Sequence, residues 1–156
     1  MSTALDTTRA GIVSALQTLC TGLAVDIGAT TDVSRVWAIA KRKPAIYVVY
    51  NGTTAGPAAQ QIGQRLHTPV HQDWIIVILA ENLRSSVEAQ NTATLGLDAL
   101  VELVRGIRNV PITQAGASVP LYLFLRGEKP VEESDNPPLG GTVAYICHYQ
   151  TQPLWV

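Results

Sequence analysis

The sequence predicts an α+β fold: one two-layer domain in which a mostly antiparallel β-sheet carries two long helices packed on one face. Three observations predict it. Apolar residues recur at helical spacing near the N-terminus and again over residues 93–107. Runs dense in β-branched and aromatic residues occupy 45–50, 74–79, 119–125 and 142–151. Paired strands joined by short connections favour antiparallel pairing, because parallel neighbours need a longer crossover. A chain of 156 residues suits a single domain, here 1–156 with a short apolar C-terminal tail over 153–156.

The first helix is expected from Leu5, Ile12, Leu16, Leu19 and Leu23, with Val13 and Cys20 beside them. Thr3 and Asp6 resemble a weak capping box, and Gly22 and Gly28 flank the end of the pattern. Asp32 is expected to cap a short helix carrying Val36, Trp37, Ile39 and Ala40. Lys41, Arg42 and Lys43 suit its negative C-terminal end, and Pro44 stops it. Ala45 to Tyr50 reads as a strand, Asn51-Gly52 as a turn, and Thr53 to Ala59 as a loop.

Gln60 to Leu66 is open between the exposed start of a long strand and a short loop helix, and Pro69 favours an edge or a bulge. Trp74 to Leu79 is the strongest strand, and its unbroken apolar run predicts burial on both faces. Ser85 or Ser86 opens the second long helix, whose stripe is Ala93, Leu97, Leu100, Val101, Val104 and Ile107. Pro111 ends that region. Val119 to Leu125 reads as a strand, Gly127 to Pro138 as an acidic loop and Thr142 to Thr151 as the last strand. Pro153 then leaves Leu154, Trp155 and Val156 as an apolar tail.

Composition excludes several function classes. Charged residues make up 15% of the chain against about 25% in an average soluble domain, which leaves apolar surface for a partner to cover. The net charge of −1 is no nucleic-acid footprint. No apolar run approaches the ~20 residues of a membrane helix. The N-terminus has no signal-peptide pattern, so synthesis in the cytoplasm is expected. Two cysteines, Cys20 and Cys147, are too few for a disulfide scaffold; one disulfide stays open beside two buried thiols.

No catalytic motif emerges. G-x-S-x-G, G-x-x-x-x-G-K-[ST] and H-E-x-x-H are all absent. His67 and His71 are the best metal candidates, because residues four apart on one strand share a face, and Asp73 adds a carboxylate if Pro69 bends the strand. Two surface histidines on a polar strand end is the simpler reading, and no metal site is assigned. Cys147-His148 suggests a thiol–imidazole pair, but strand neighbours point to opposite faces. Asp98 and Glu102 fit a solvated helix face.

The charge runs carry more. Lys41, Arg42 and Lys43 form a basic cluster, while Glu128, Glu132, Glu133 and Asp135 make the 128–135 loop acidic. A helix end and a solvated loop account for them by default. The functional reading is electrostatic complementarity between copies or with a partner.

The arrangement of a helix, then Lys43-Pro44-Ala45-Ile46-Tyr47-Val48-Val49-Tyr50, then Trp74 to Leu79, the helix Leu97 to Ile107 and a last strand Gly141 to Thr151 resembles a known family. It is similar to the tail terminator proteins of long-tailed phages, in particular the Mu-type phage and prophage branch. The resemblance rests on element order and strand composition across most of the chain. It implies a non-enzymatic virion protein without cofactors. Such a protein forms a homohexameric ring on the head-proximal end of the tail tube, at the tail–neck junction. Its partners are further copies of itself, the tail tube protein and the head–neck connector protein; DNA only passes through the lumen. Interface contacts are then expected at Lys41, Arg42, Lys43, Glu128, Glu132, Glu133 and Asp135, and at the tail Leu154, Trp155 and Val156. Trp155 packing back on its own subunit is weighed equally. Two alternatives stand beside this: another neck or tail-completion protein, and a small metal-dependent enzyme or ligand-binding domain using His67 and His71.

Overall fold

The computed structural model describes residues 4–36, 44–55, 60–67, 69–81, 97–112, 120–130, 142–151 and 154–155. Helix α1 spans Ala4–Leu19. Strands β1 (Asp26–Thr30) and β2 (Ala45–Ala55) follow, then the short β3 (Gln60–Ile62) and β4 (Arg65–His67), and the long β5 (Pro69–Glu81). Helix α2 spans Leu97–Arg105, and β6 (Leu123–Pro130), β7 (Thr142–Thr151) and β8 (Leu154–Trp155) complete the order.

The main sheet runs β1-β2-β5-β7-β6, with β8 pairing beside β5, while β3 and β4 form a separate two-stranded sheet. The α+β class holds, but the sheet is mixed. β1 pairs parallel to β2 and all other pairs are antiparallel. Residues 31–44 supply the crossover that this parallel pair requires.

β5 alternates its side chains between two apolar clusters. Trp74, Ile76, Ile78 and Ala80 pack with Ile12, Leu16 and Cys20 of α1 and with Leu100, Val101 and Val104 of α2. Ile75, Val77 and Leu79 join Tyr47, Val49 and Ala144 on the outer face, where Val36 packs against them. Both helices therefore lie on one face, and Trp74 to Ala80 is buried on both sides as its composition predicts. Tyr50 stacks at a tilt on Trp74, with ring centroids 5.2 Å apart.

Several elements differ from the pattern-based expectation. β1 carries Gly and Asp and has no apolar alternation, so it is illegible as a strand. A 3₁₀ turn spans Val33–Arg35 and Val36 after it is helical; the rest of the expected short helix, Trp37 to Lys43, lies outside the described residues. Leu23 lies beyond the end of α1 and is exposed, because the chain turns at Gly22 with φ 83°. α2 is short, nine residues closed by a 3₁₀ turn at Gly106–Asn109; the proposed start at Ser85 or Ser86 lies outside the described residues, as does Thr3. Val119 is likewise outside them, and Leu121 makes an isolated bridge to Ile112 before β6 begins. β6 continues to Pro130, so Gly127 to Pro130 is strand and not loop. As an edge strand with a bulge, it tolerates the Gly and Pro that read as a loop.

Candidate interface site

Glu128 belongs to its own subunit's scaffold. It pairs in register with Cys147 and therefore faces the helices. Arg105 of α2 donates to it through Nε (2.8 Å to Oε1) and Nη2 (2.6 Å to Oε2), and the Tyr145 hydroxyl donates at 3.1 Å. Arg105 also pairs with Glu102. The Glu128 side chain is 10% exposed. The guanidinium hydrogen bonds hold its carboxyl below the usual carboxylate range, and Glu128 in turn pushes Arg105 further up. The pair ties α2 to β6 and β7. Glu132, Glu133, Asp135, Lys41, Arg42, Lys43 and Val156 lie outside the described residues.

The tail forms a strand on its own subunit. Trp155 pairs with Pro69 and Leu154 with Val70, antiparallel to the start of β5. Pro69 accordingly stands at the first position of its strand, where a missing N–H is tolerated.

The histidine candidates separate. His67 ends β4 in the small sheet and His71 lies in β5, so the single-strand spacing that would aim both at one ion does not exist. His71 Nδ1 donates to the Thr151 carbonyl at 2.9 Å. Among the described residues no three His, Cys, Asp or Glu side chains gather as metal ligands. Cys20 and Cys147 are buried free thiols. Burial pushes Cys147 up to about 12, first by desolvation and then by the Glu128 charge, which disfavours a nucleophilic thiolate.

The site that sequence reasoning missed is a cleft of about 430 Å³ lined by Asn51, Asp73, Arg126, Gly127, His148 and Gln150, together with Trp74 and Tyr149. Two β-bulges shape it. Register shifts between Tyr50 and Gly52 in β2 and between Leu125 and Gly127 in β6, leaving Asn51 and Arg126 as the extra residues. Gly52 takes φ 116°, and a Cβ at Gly52 or Gly127 would meet open space. At the floor, Asp73 accepts from Thr54 Oγ1 at 2.9 Å and from Gln150 Nε2 at 3.0 Å, linking β2, β5 and β7. Beside it, Phe124 pairs in register with Gln150 and is 53% exposed. The signal was present as Asn51-Gly52 and Arg126-Gly127, but the first reads as a turn and Gly127 as the start of a loop when the strands on either side are not known to continue.

A family model described as phage tail terminator protein matches residues 1–110, from α1 through the turn after α2. No curated protein matches the sequence.

Proposed function

The chain belongs to the phage tail terminator family, and on that premise we propose that it closes as a homohexameric ring on the head-proximal end of the tail tube. The ring stops the addition of tube subunits and offers the docking surface for the head–neck connector protein. Made in the host bacterial cytoplasm, it ends in the virion at the tail–neck junction. We assign it to the Mu-type branch. It needs no catalytic step and no cofactor.

The single observation that carries this reading is the family match over residues 1–110. Physical considerations agree with it. A ring of identical subunits uses a heterologous contact that closes by rotation. One ring face imitates the next tube ring and binds the tube end; the other lacks the tube subunit's acceptor surface, so growth stops. DNA passes through the lumen, and a net charge of −1 avoids a grip on phosphate. Among the described residues no helix is long and apolar enough to cross a membrane.

Within the ring, the basic cluster Lys41, Arg42 and Lys43 meets Glu132, Glu133 and Asp135 across the subunit boundary. Glu128 contributes by anchoring β6, the strand that precedes those acidic residues in the chain. The tail Leu154, Trp155 and Val156 adds a contact at the β5 end. Reversing the three basic charges weakens assembly, and added salt weakens wild-type assembly in the same direction; salt-independent association removes the charge pairing.

Electron microscopy of lysates from a phage lacking this gene tests the function. Overlong, headless tails of irregular length are expected. Tails of normal length that fail to join heads would assign the chain to neck or tail completion instead. Normal infectious particles would remove both roles.

A further inference from the structure

We propose that the cleft over Asp73 receives the Arg35 guanidinium of a second copy of this chain, as part of the head-to-tail contact; this rests on the ring reading above. Asp73 is a prearranged acceptor. Thr54 and Gln150 each occupy one lone pair on one of its two oxygens. A carboxylate has about four such positions, so one remains open on each oxygen. Two open positions on one planar carboxylate match the fork of a guanidinium. Asp73 makes no ion pair among the described residues.

The complementary group lies in the segment that follows β1. Arg35 ends the 3₁₀ turn that follows the edge strand β1, and the cleft is lined from β2 across β5 and β7 to β6. Val33 and Val36 of the same segment pack on the outer apolar cluster, so the segment sits on the face that carries the cleft. Arg35 is exposed and its guanidinium has no hydrogen bond or ion pair among the described residues. Two different surfaces of one chain are what a heterologous, ring-closing contact joins.

Arg35, at the end of the 3₁₀ turn, is an exposed base. The cleft presents a base and an acid, the bulged Arg126 at its rim and Asp73 on its floor. Arg126 has no ion-pair partner among the described residues. Exposed Phe124 beside the cleft supplies the apolar anchor that polar contacts alone lack.

The test compares the full-length wild type with Asp73→Arg, Arg35→Asp, the double variant and Asp73→Asn. Ring formation is read by sedimentation velocity on the purified protein and by electron microscopy on tail tubes. Each charge reversal should weaken association by at least about tenfold, and the double variant should recover most of it. Asp73→Asn keeps the shape and the contacts to Thr54 and Gln150, so it separates lost charge from lost folding; it should weaken association less than Asp73→Arg. Either reversal assembling like the wild type overturns the cleft contact while leaving the ring intact. A double variant no better than the single ones overturns Arg35 as the occupant. A wild type that forms no ring, alone or on tubes, overturns the ring reading and the contact with it.

Discussion

Replacing Gly28 by alanine should destabilise the domain through a single side chain, Tyr47. Gly28 and Tyr47 are register partners on neighbouring strands. The Tyr47 ring crosses above Gly28 to donate to Asp26 Oδ2 at 2.8 Å. A Cβ built on Gly28 would stand 2.8 Å from Tyr47 Cε1. Carbon atoms prefer about 3.5–4.0 Å, so the ring must retreat by about 1 Å. Tyr47 is buried in the outer cluster and has little room.

Overpacking of this kind costs about 1–3 kcal/mol, and a weakened hydrogen bond to a carboxylate overlaps with that at about 1.5–3 kcal/mol. Alanine returns about 0.4–1 kcal/mol by stiffening the unfolded chain, since Gly28 is not held at positive φ. The net loss is about 2 kcal/mol, or about 4–8 °C in Tm for a domain of this size. Urea denaturation of Gly28→Ala in the wild-type and Tyr47→Val backgrounds measures it. With the ring gone, Gly28→Ala should become neutral or stabilising. Equal destabilisation in both backgrounds would refute the clash.

Acid should act through Glu128. Its folded-state carboxyl titrates below its unfolded value near 4.5, so the stability it contributes is present above that pH and is lost as pH falls through the folded value. Glu128→Gln should flatten the acid limb of the urea midpoint against pH, and an unchanged limb would count against the pairing. Alkali should act through Tyr47, which burial and then Asp26 push up to about 12. Its contribution is intact below about 10 and is lost as pH rises through about 12. Tyr47→Phe should remove the part of the alkaline loss that phenolate absorbance tracks. Cys20 and Cys147, both raised by burial, should resist thiol reagents in the folded protein and react on unfolding; fast labelling of the native state would contradict their burial.

Much of the fold was legible because it repeats locally. α1 shows a 3.6-residue stripe, and Trp74 to Leu79 advertises burial on both faces by having no polar position. Thr142–Thr151 matches its observed bounds. The failures share a cause. β1 is a strand because it lies beside β2, not because Asp26–Thr30 prefers to be one. β6 continues through Arg126-Gly127 because β7 pairs with it on both sides of the bulge. The histidine pairing failed because it assumed one continuous strand where the chain leaves β4 and starts β5.

Local pattern was thus enough for the elements with strong periodicity and for the α+β class. Partner identity needed the assembled fold. Glu128 looked like one member of a solvated acidic run until Arg105, 23 residues earlier, came within 2.6 Å of it. The cleft needed two bulges, on β2 and β6, to flank the central β5–β7 pair. Side chains from four distant segments meet there or beside it, and such meetings depend on register, which no window of neighbouring residues encodes.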